Sequence, residues 1–160
     1  RGRVLQAGRP EELFRRPASP LVADFIGAEN VLAGRAQPIR DAEPAWAPSP
    51  DAEDMEHAVA FTTGSITIYA LGHVIPGTAH AVIRADEIAL SRSAASSSVR
   101  NQFKGNVAEI APAGALTRVT VDVSGIPLVA AVTTRSAQEL ELAIGVEVFA
   151  AFKATAVHLC

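Results

Sequence analysis

Arg118-Val-Thr-Val-Asp-Val123, the pair Ser124-Gly125 and the run Leu128-Val-Ala-Ala-Val132 decide the fold. Val119, Val121 and Val123 recur at every second residue, the period of a strand with one buried face. Ser124-Gly125 turns the chain, and Leu128 to Val132 is an apolar run of strand length. Working outward, Gly105-Asn-Val-Ala-Glu-Ile110 reads as a strand ended by a turn at Pro112-Ala113-Gly114. Ser136-Ala-Gln-Glu139 is a capping box, which predicts one helical turn through Leu140 and Leu142. Gly145 then releases the chain into a last strand, Val148 to Lys153. About five short strands with one helical turn indicate a small barrel, so the fold class is mainly β.

A Ser-rich joint, Ser91 to Ser98, separates this segment from another set of strand patterns. These are Val59 with Phe61, Ile66 to Tyr69 after the turn Thr63-Gly64-Ser65, Ala81 to Arg84, and Ile88 to Leu90. A weak internal repeat links the two segments. Gly77 to Ala85, ending Ile88-Ala-Leu90, parallels Gly145 to Ala154, ending Val157-His-Leu159, with one residue of slippage. Before these strands, residues 38–57 carry Pro38, Pro44, Pro48, Pro50 and six acidic residues. That composition buries too little apolar surface to order itself, so it reads as a solvated insertion with Trp46 docked on neighbouring surface.

Residues 1–32 are punctuated as two short helices. Pro10 suits a first helical position followed by Glu11 and Glu12, and Pro17 stops that helix. Ser19-Pro20 repeats the start as cap and first residue; Leu21, Val22, Phe25 and Ile26 form the expected apolar face, and Gly27 the C-terminal cap. Two such helices bury too little to stand alone, and are expected to be the trailing edge of something larger. A start at Arg1, without Met, agrees with a fragment of a longer chain.

Composition narrows the function. At 160 residues, 49% hydrophobic and 19% charged, the chain can hold one ordinary core or two small ones. Residues 1–36 carry six basic and four acidic side chains, 37–95 three and eight, and 96–160 five of each. With no basic stripe and 5% aromatic residues, a nucleic-acid partner is not expected. No apolar run approaches the roughly 20 residues of a membrane span, so direct membrane insertion is not expected either. The lone Cys160 forms no internal disulfide, and His57, His73, His80 and His158 lack the spacing of a metal site. There is no GxxxxGK[ST] phosphate cradle, so no catalytic residue is assigned.

Two stretches carry a family resemblance. Gly2 to Pro17, with Ser19 to Gly27 and Asn30, resembles the end of the nucleotide-binding domain of ABC import ATPases. Ser98-Val-Arg-Asn-Gln-Phe-Lys-Gly105, with Thr133 to Ser136, Leu142 to Gly145 and Lys153 to Val157, resembles a Mop domain, the TOBE-like molybdate-binding module. Val82 to Ser91 is similar to the looser accessory β domain of such ATPases. The resemblance is to the C-terminal part of the ATP-binding subunit of a molybdate/tungstate ABC importer. It implies three parts: the tail of a nucleotide-binding domain at 1–32, an accessory OB-like β domain at 33–92, and an OB-like Mop barrel at 98–160. The family usually has Ala where Val99 stands here and a second hydroxyl at Ala156.

The resemblance also implies a ligand, molybdate or tungstate, and a residue set for it: Ser98, Arg100, Asn101, Thr133, Lys153 and Ala154. Molybdate is a tetrahedral dianion with acceptor oxygens only, so a site must supply donors from several sides. Ser98, Asn101 and Thr133 offer neutral donors, Arg100 and Lys153 charge, and the chain near Ala154 backbone amides. On a barrel without a ligand, Arg100 and Lys153 would be solvated surface charges, Asn101 a turn residue and Ser136 a helix cap. The implied partners are a second copy of the chain and, through the parent ATPase, membrane permease subunits; ATP and Mg would belong to the part of the protein outside this sequence. The implied location is cytoplasmic, peripheral to the inner membrane. A rival reading is a structural dimerisation module of a sulfate, iron or polyamine importer ATPase, with no bound anion.

Overall fold

The computed structural model describes residues 2–39, 58–72 and 76–160. Most of the acidic Pro-rich stretch, Trp46 included, lies outside the described residues, as do His57 and His73. The fold is mainly β. Helices α1 (Pro10–Arg15) and α2 (Pro20–Phe25) precede strands β1 (Asn30–Pro38), β2 (Ala58–Thr63), β3 (Ile66–Leu71), β4 (Gly77–Ile83) and β5 (Ala89–Ser91). Then come β6 (Asn101–Ala113), β7 (Leu116–Val123), β8 (Ile126–Thr133), α3 (Thr134–Glu139), β9 (Glu147–Phe152) and β10 (Val157–Leu159).

The strands form two five-stranded sheets of the same topology, ordered β10-β4-β1-β2-β3 and β5-β9-β6-β7-β8. In each, the outer strands approach one another, β10 against β3 and β5 against β8, so both sheets curl into OB-like barrels. The short fifth strand of each sheet follows the last long strand of the other sheet: β5 comes after β4, and β10 after β9. After β4 the chain makes a 3-10 turn, Ala85–Glu87, and β5 pairs with β9. After β9 it makes a 3-10 turn, Ala154–Ala156, and β10 joins β4, where His80 and Cys160 exchange both backbone hydrogen bonds at 2.7 and 3.0 Å. The compact units are accordingly Arg1–Val82 with Val157–Cys160, and Ile83–Ala156.

The turns follow local chemistry. Ser124 and Gly125 both have positive φ (52° and 86°) in the two-residue loop between Val123 and Ile126, which suits the right-handed strand twist; the Gly125 amide donates to Asp122 Oδ1 at 2.9 Å. The turn expected at Pro112 to Gly114 lies further on, because β6 stays paired through Ala113 opposite Leu116. Alternation decides the core: Thr117, Val119, Val121 and Val123 of β7 are buried, as are Val148, Ala150 and Phe152 of β9.

The two helices begin where expected. Pro10 opens α1, and Ser19 Oγ accepts from the Val22 amide at 3.3 Å to cap α2. Gln6 ties the first segment together, its amide nitrogen donating to the Arg16 carbonyl at 3.0 Å and its oxygen accepting from the Ala18 amide at 2.7 Å. The expected apolar face of α2 is corrected: Val22 and Ala23 are buried, whereas Leu21 is 61% and Phe25 90% exposed. A six-residue helix lying on the start of β1 buries one narrow stripe, and these two side chains point away from it.

The C-terminal strand is anchored to this segment by His158, whose Nε2–H donates to the Pro17 carbonyl at 2.9 Å. Burial pushes the imidazole below its usual pKa; the hydrogen bond to Pro17 opposes this, and the charge of Arg16 adds to it. Protonation is therefore disfavoured in the folded chain relative to the unfolded one. The stability that His158 contributes is full above its ordinary pKa near 6.5 and is lost as pH falls toward the lower folded value. Urea midpoints should fall between pH 7.5 and 5.5 by less in His158→Gln than in wild type; equal falls would remove His158 from this account.

Two glycines set the strand spacing. A Cβ on Gly34 would lie 2.3 Å from the Thr62 carbonyl oxygen, and one on Gly105 2.4 Å from that of Asp122. Gly105→Ala should therefore destabilise the chain by about 1–3 kcal/mol, the cost of overpacking. Gly2→Ala, with nothing within 4 Å, should leave the melting temperature unchanged.

Candidate functional site

The residues that the resemblance implies for a site gather at one end of the β6–β9 pair. Asn101, the first residue of β6, stands opposite Phe152, the last of β9. One step beyond this pair, Arg100 precedes β6 and Lys153 follows β9. Both side chains are exposed, and the antiparallel register brings their backbones side by side. Ser98 is exposed two residues earlier, and Ala154 is buried at the start of the 3-10 turn. Phe152, buried, packs beneath this end against Phe103 with ring centroids 6.0 Å apart. Four of the six sequence-predicted residues, Ser98, Arg100, Lys153 and Ala154, thus flank one strand end, and Asn101 heads the strand itself.

Asn101 differs in character from its neighbours. It is 1% exposed, and no buried side-chain polar atom among the described residues lacks a hydrogen-bond partner. Its amide is therefore engaged within the fold, where an unpaired polar group would be costly. Asn30 occupies the same place at the head of β1, also 1% exposed. Each is followed four residues later by the tightly packed Gly34 or Gly105. The internal repeat therefore reaches β1 and β6, beyond the segment legible from the strand-turn-strand pattern. The spacing Asn30 to Gly34, matched by Asn101 to Gly105, was the available signal.

Thr133 lies elsewhere. It ends β8, opposite Leu116 and so toward the Ala113 end of β6, away from Asn101; across the barrel closure β8 meets β5. Its Oγ1 accepts from the Ser136 amide at 3.0 Å and donates to Ser136 Oγ at 2.7 Å. This corrects the helix start: α3 opens at Thr134 with Thr133 as its cap, not at Ser136, because Thr133 leaves the strand with extended backbone and its hydroxyl reaches the third amide. Thr133 and Ser136 also line an open cleft of about 440 Å³ with Ile88, Leu90 and Val132.

Neighbouring charges are paired. Lys104 meets Glu147 at 3.1 Å, and Arg135 meets Glu139 at 2.8 Å, both on exposed surface. Among the described residues no group of three or more His, Cys, Asp or Glu is arranged to hold a metal. No helix among them is long and apolar enough to cross a membrane.

The capping geometry makes a discriminating prediction. Thr133→Ala should cost about 1 kcal/mol of stability, as loss of a helix cap does, and leave any anion affinity at the wild-type level. Unchanged stability with weakened anion binding would instead make Thr133 a ligand.

Comparison with known proteins agrees with this architecture. Residues 97–159 match the TOBE domain family. Over 159 residues the chain is 32% identical to the molybdate/tungstate import ATP-binding protein WtpC of Pyrococcus horikoshii, covering 99% of this chain and 40% of that protein. It is 31% identical over 121 residues to the spermidine/putrescine import ATP-binding protein PotA of Thermobifida fusca, covering 76% of this chain and 28% of that protein. Among solved structures, the cytoplasmic molybdate-binding protein ModG, in a crystal form with molybdate bound, superposes with a TM-score of 0.70 at 22% identity, covering 83% of this chain and 96% of that one. The chain spans about 40% of the length of the molybdate/tungstate relatives. Residues 97–159 thus match the TOBE family in a fold shared with ModG, and nearly the whole chain is similar to part of the molybdate/tungstate import ATP-binding proteins.

Proposed function

We propose that this chain is the regulatory C-terminal region of a molybdate-import ATPase, and that its TOBE domain binds molybdate or tungstate at the β6–β9 end. The observation that carries this reading is the pairing register, which sets Arg100 and Lys153 side by side at the head of one strand and the foot of the next. Two cations match a dianion, and the Ser98 hydroxyl and the backbone at Ala154 add neutral donors to oxygens that can only accept. Asn101, held within the fold, fixes the strand end that carries Arg100. Thr133 acts as a helix cap outside this set.

The remaining parts follow from the parent protein. ATP and Mg would bind in a nucleotide-binding domain outside this sequence, and the apolar side chains exposed on the helical segment, Leu21 and Phe25 among them, would pack against it. That ATPase would work with membrane permease subunits on the cytoplasmic side of the inner membrane, and as a pair of copies. Filling the TOBE site would report internal molybdate by favouring one arrangement of the pair over another, which requires different affinities in the two.

Calorimetric titration tests the reading. Arg100→Ala and Lys153→Ala should each weaken molybdate binding by about 1.5–3 kcal/mol, and Ser98→Ala by about 0.5–1.5 kcal/mol. Sulfate, a smaller tetrahedral ion, should bind more weakly than molybdate. Equal heats for both ions, or wild-type affinity in both cation variants, would leave the structural dimerisation module as the reading.

A further inference from the structure

Strand β10 ties together two places that lie far apart in the sequence. It begins where the 3-10 turn Ala154–Ala156 ends, next to Lys153 and Ala154 of the proposed anion end. Within the turn the Ala156 amide donates to the Lys153 carbonyl at 3.0 Å, and the buried side chains of Ala154 and Val157 seat it at either end. Val157 already belongs to the compact unit that holds residues 1–82, where β10 lies beside β4 and His80 and Cys160 exchange backbone hydrogen bonds. The turn is thus held from two sides, by the end of β9 and by the docked β10.

One residue further, His158 reaches the joint between α1 and α2. Three successive residues there each have a backbone group held by a side chain. Gln6 donates to the Arg16 carbonyl at 3.0 Å and accepts from the Ala18 amide at 2.7 Å, while His158 donates to the Pro17 carbonyl at 2.9 Å. Pro17 is buried and has no N–H, so its carbonyl is the one backbone hydrogen-bonding group it owns. The Gln6 contacts are local to the helical segment. The contact at Pro17 exists only while β10 is docked.

A strand of three residues is the kind of element that opens locally, without unfolding the barrel it completes. Lifting β10 off β4 takes Val157 from its seat and leaves the turn anchored at Ala154 alone. The backbone near Ala154 that the anion is proposed to use is then no longer fixed, so the anion has the higher affinity for the chain with β10 docked. By linkage, a bound anion favours docking by the same factor. Resting on the oxyanion reading of the β6–β9 end, we propose that β10 couples that site to the α1–α2 joint, and that His158 is the positioning residue through which occupancy reaches the joint. In the parent ATPase α1 and α2 would border the nucleotide-binding domain, so the clasp on Pro17 would pass the state of the anion site toward it.

Amide hydrogen exchange of the 160-residue chain, followed by nuclear magnetic resonance with and without saturating molybdate at matched ionic strength, tests this. Molybdate should slow exchange at His80 and Cys160 by about fivefold or more, the lower end of ordinary coupling between sites. The Ala23 amide, which donates to the Ser19 carbonyl at 3.0 Å in the first turn of α2, should slow with them. In His158→Phe without ligand, exchange at Cys160 should quicken by about two- to tenfold, the loss of one hydrogen bond. Molybdate should still slow Cys160 in that variant but no longer Ala23. His158→Gln, which keeps a donor near the Nε2 position, should restore the response at Ala23. Heat on titration with molybdate but unchanged exchange at His80 and Cys160 overturns the coupling and leaves oxyanion binding in place; the wild-type chain alone decides this, whether or not the variants fold. Unchanged exchange at Ala23 in wild type, or equal slowing there in His158→Phe, overturns the role of His158. No heat with molybdate or tungstate in the wild-type chain removes the underlying reading and the inference with it.

Discussion

The register of β6 against β9 is the constraint on which the rest of the second barrel depends. Asn101 opposite Phe152 fixes where each strand ends, and so which residues leave the sheet together. A slip of one residue would turn Val148, Ala150 and Phe152 outward and separate the residues now side by side, so burial of that face enforces the pairing. Gly105 enforces it from the other side, since β6 can approach β7 this closely only where no Cβ intervenes. The bulge between Val107 and Glu109 then lets the remainder of β6 bend with the barrel.

Exchange of the fifth strand is the second organising feature. β5 and β10 are three residues each, and each follows the last long strand of one sheet to complete the other. Each sheet is completed by the short strand that follows the other repeat's 3-10 turn, which covers an edge that would otherwise be open. A piece cut at residue 98 would keep four strands of its sheet and lose the fifth, while its last strand would lack β4. The sequence boundaries at 32, 92 and 98 follow composition, whereas the compact units divide the chain at 82/83 and 156/157.

Much of this was legible in the residues, for physical reasons. The alternation at Val119, Val121 and Val123 reads directly as a strand because one face is buried and the other wet. Pro10, Ser19 and Gly27 marked helix ends because few other residues satisfy their backbone requirements. The repeat across Gly77 to Leu90 and Gly145 to Leu159 was visible as a pattern, but three-residue strands carry no record of their partners, so the exchange was not. Thr133 and Ser136 are both hydroxyl residues near a helix start, and only backbone geometry decides that Thr133 caps it. The apolar face expected of α2 was read on periodicity alone, which cannot tell which stripe has something to lie against. The sequence pointed to Arg100 and Lys153 through family likeness; 52 residues of chain separate them, and only strand pairing makes them neighbours.

The central claim is that residues 97–159 hold an oxyanion at the Arg100–Lys153 end. Crystals of the chain grown with tungstate, measured across a tungsten absorption edge, locate the anion without reference to affinity. The account predicts anomalous density beside Arg100 and Lys153. Density only in the cleft at Thr133 and Ser136, with the β6–β9 end empty, would contradict it.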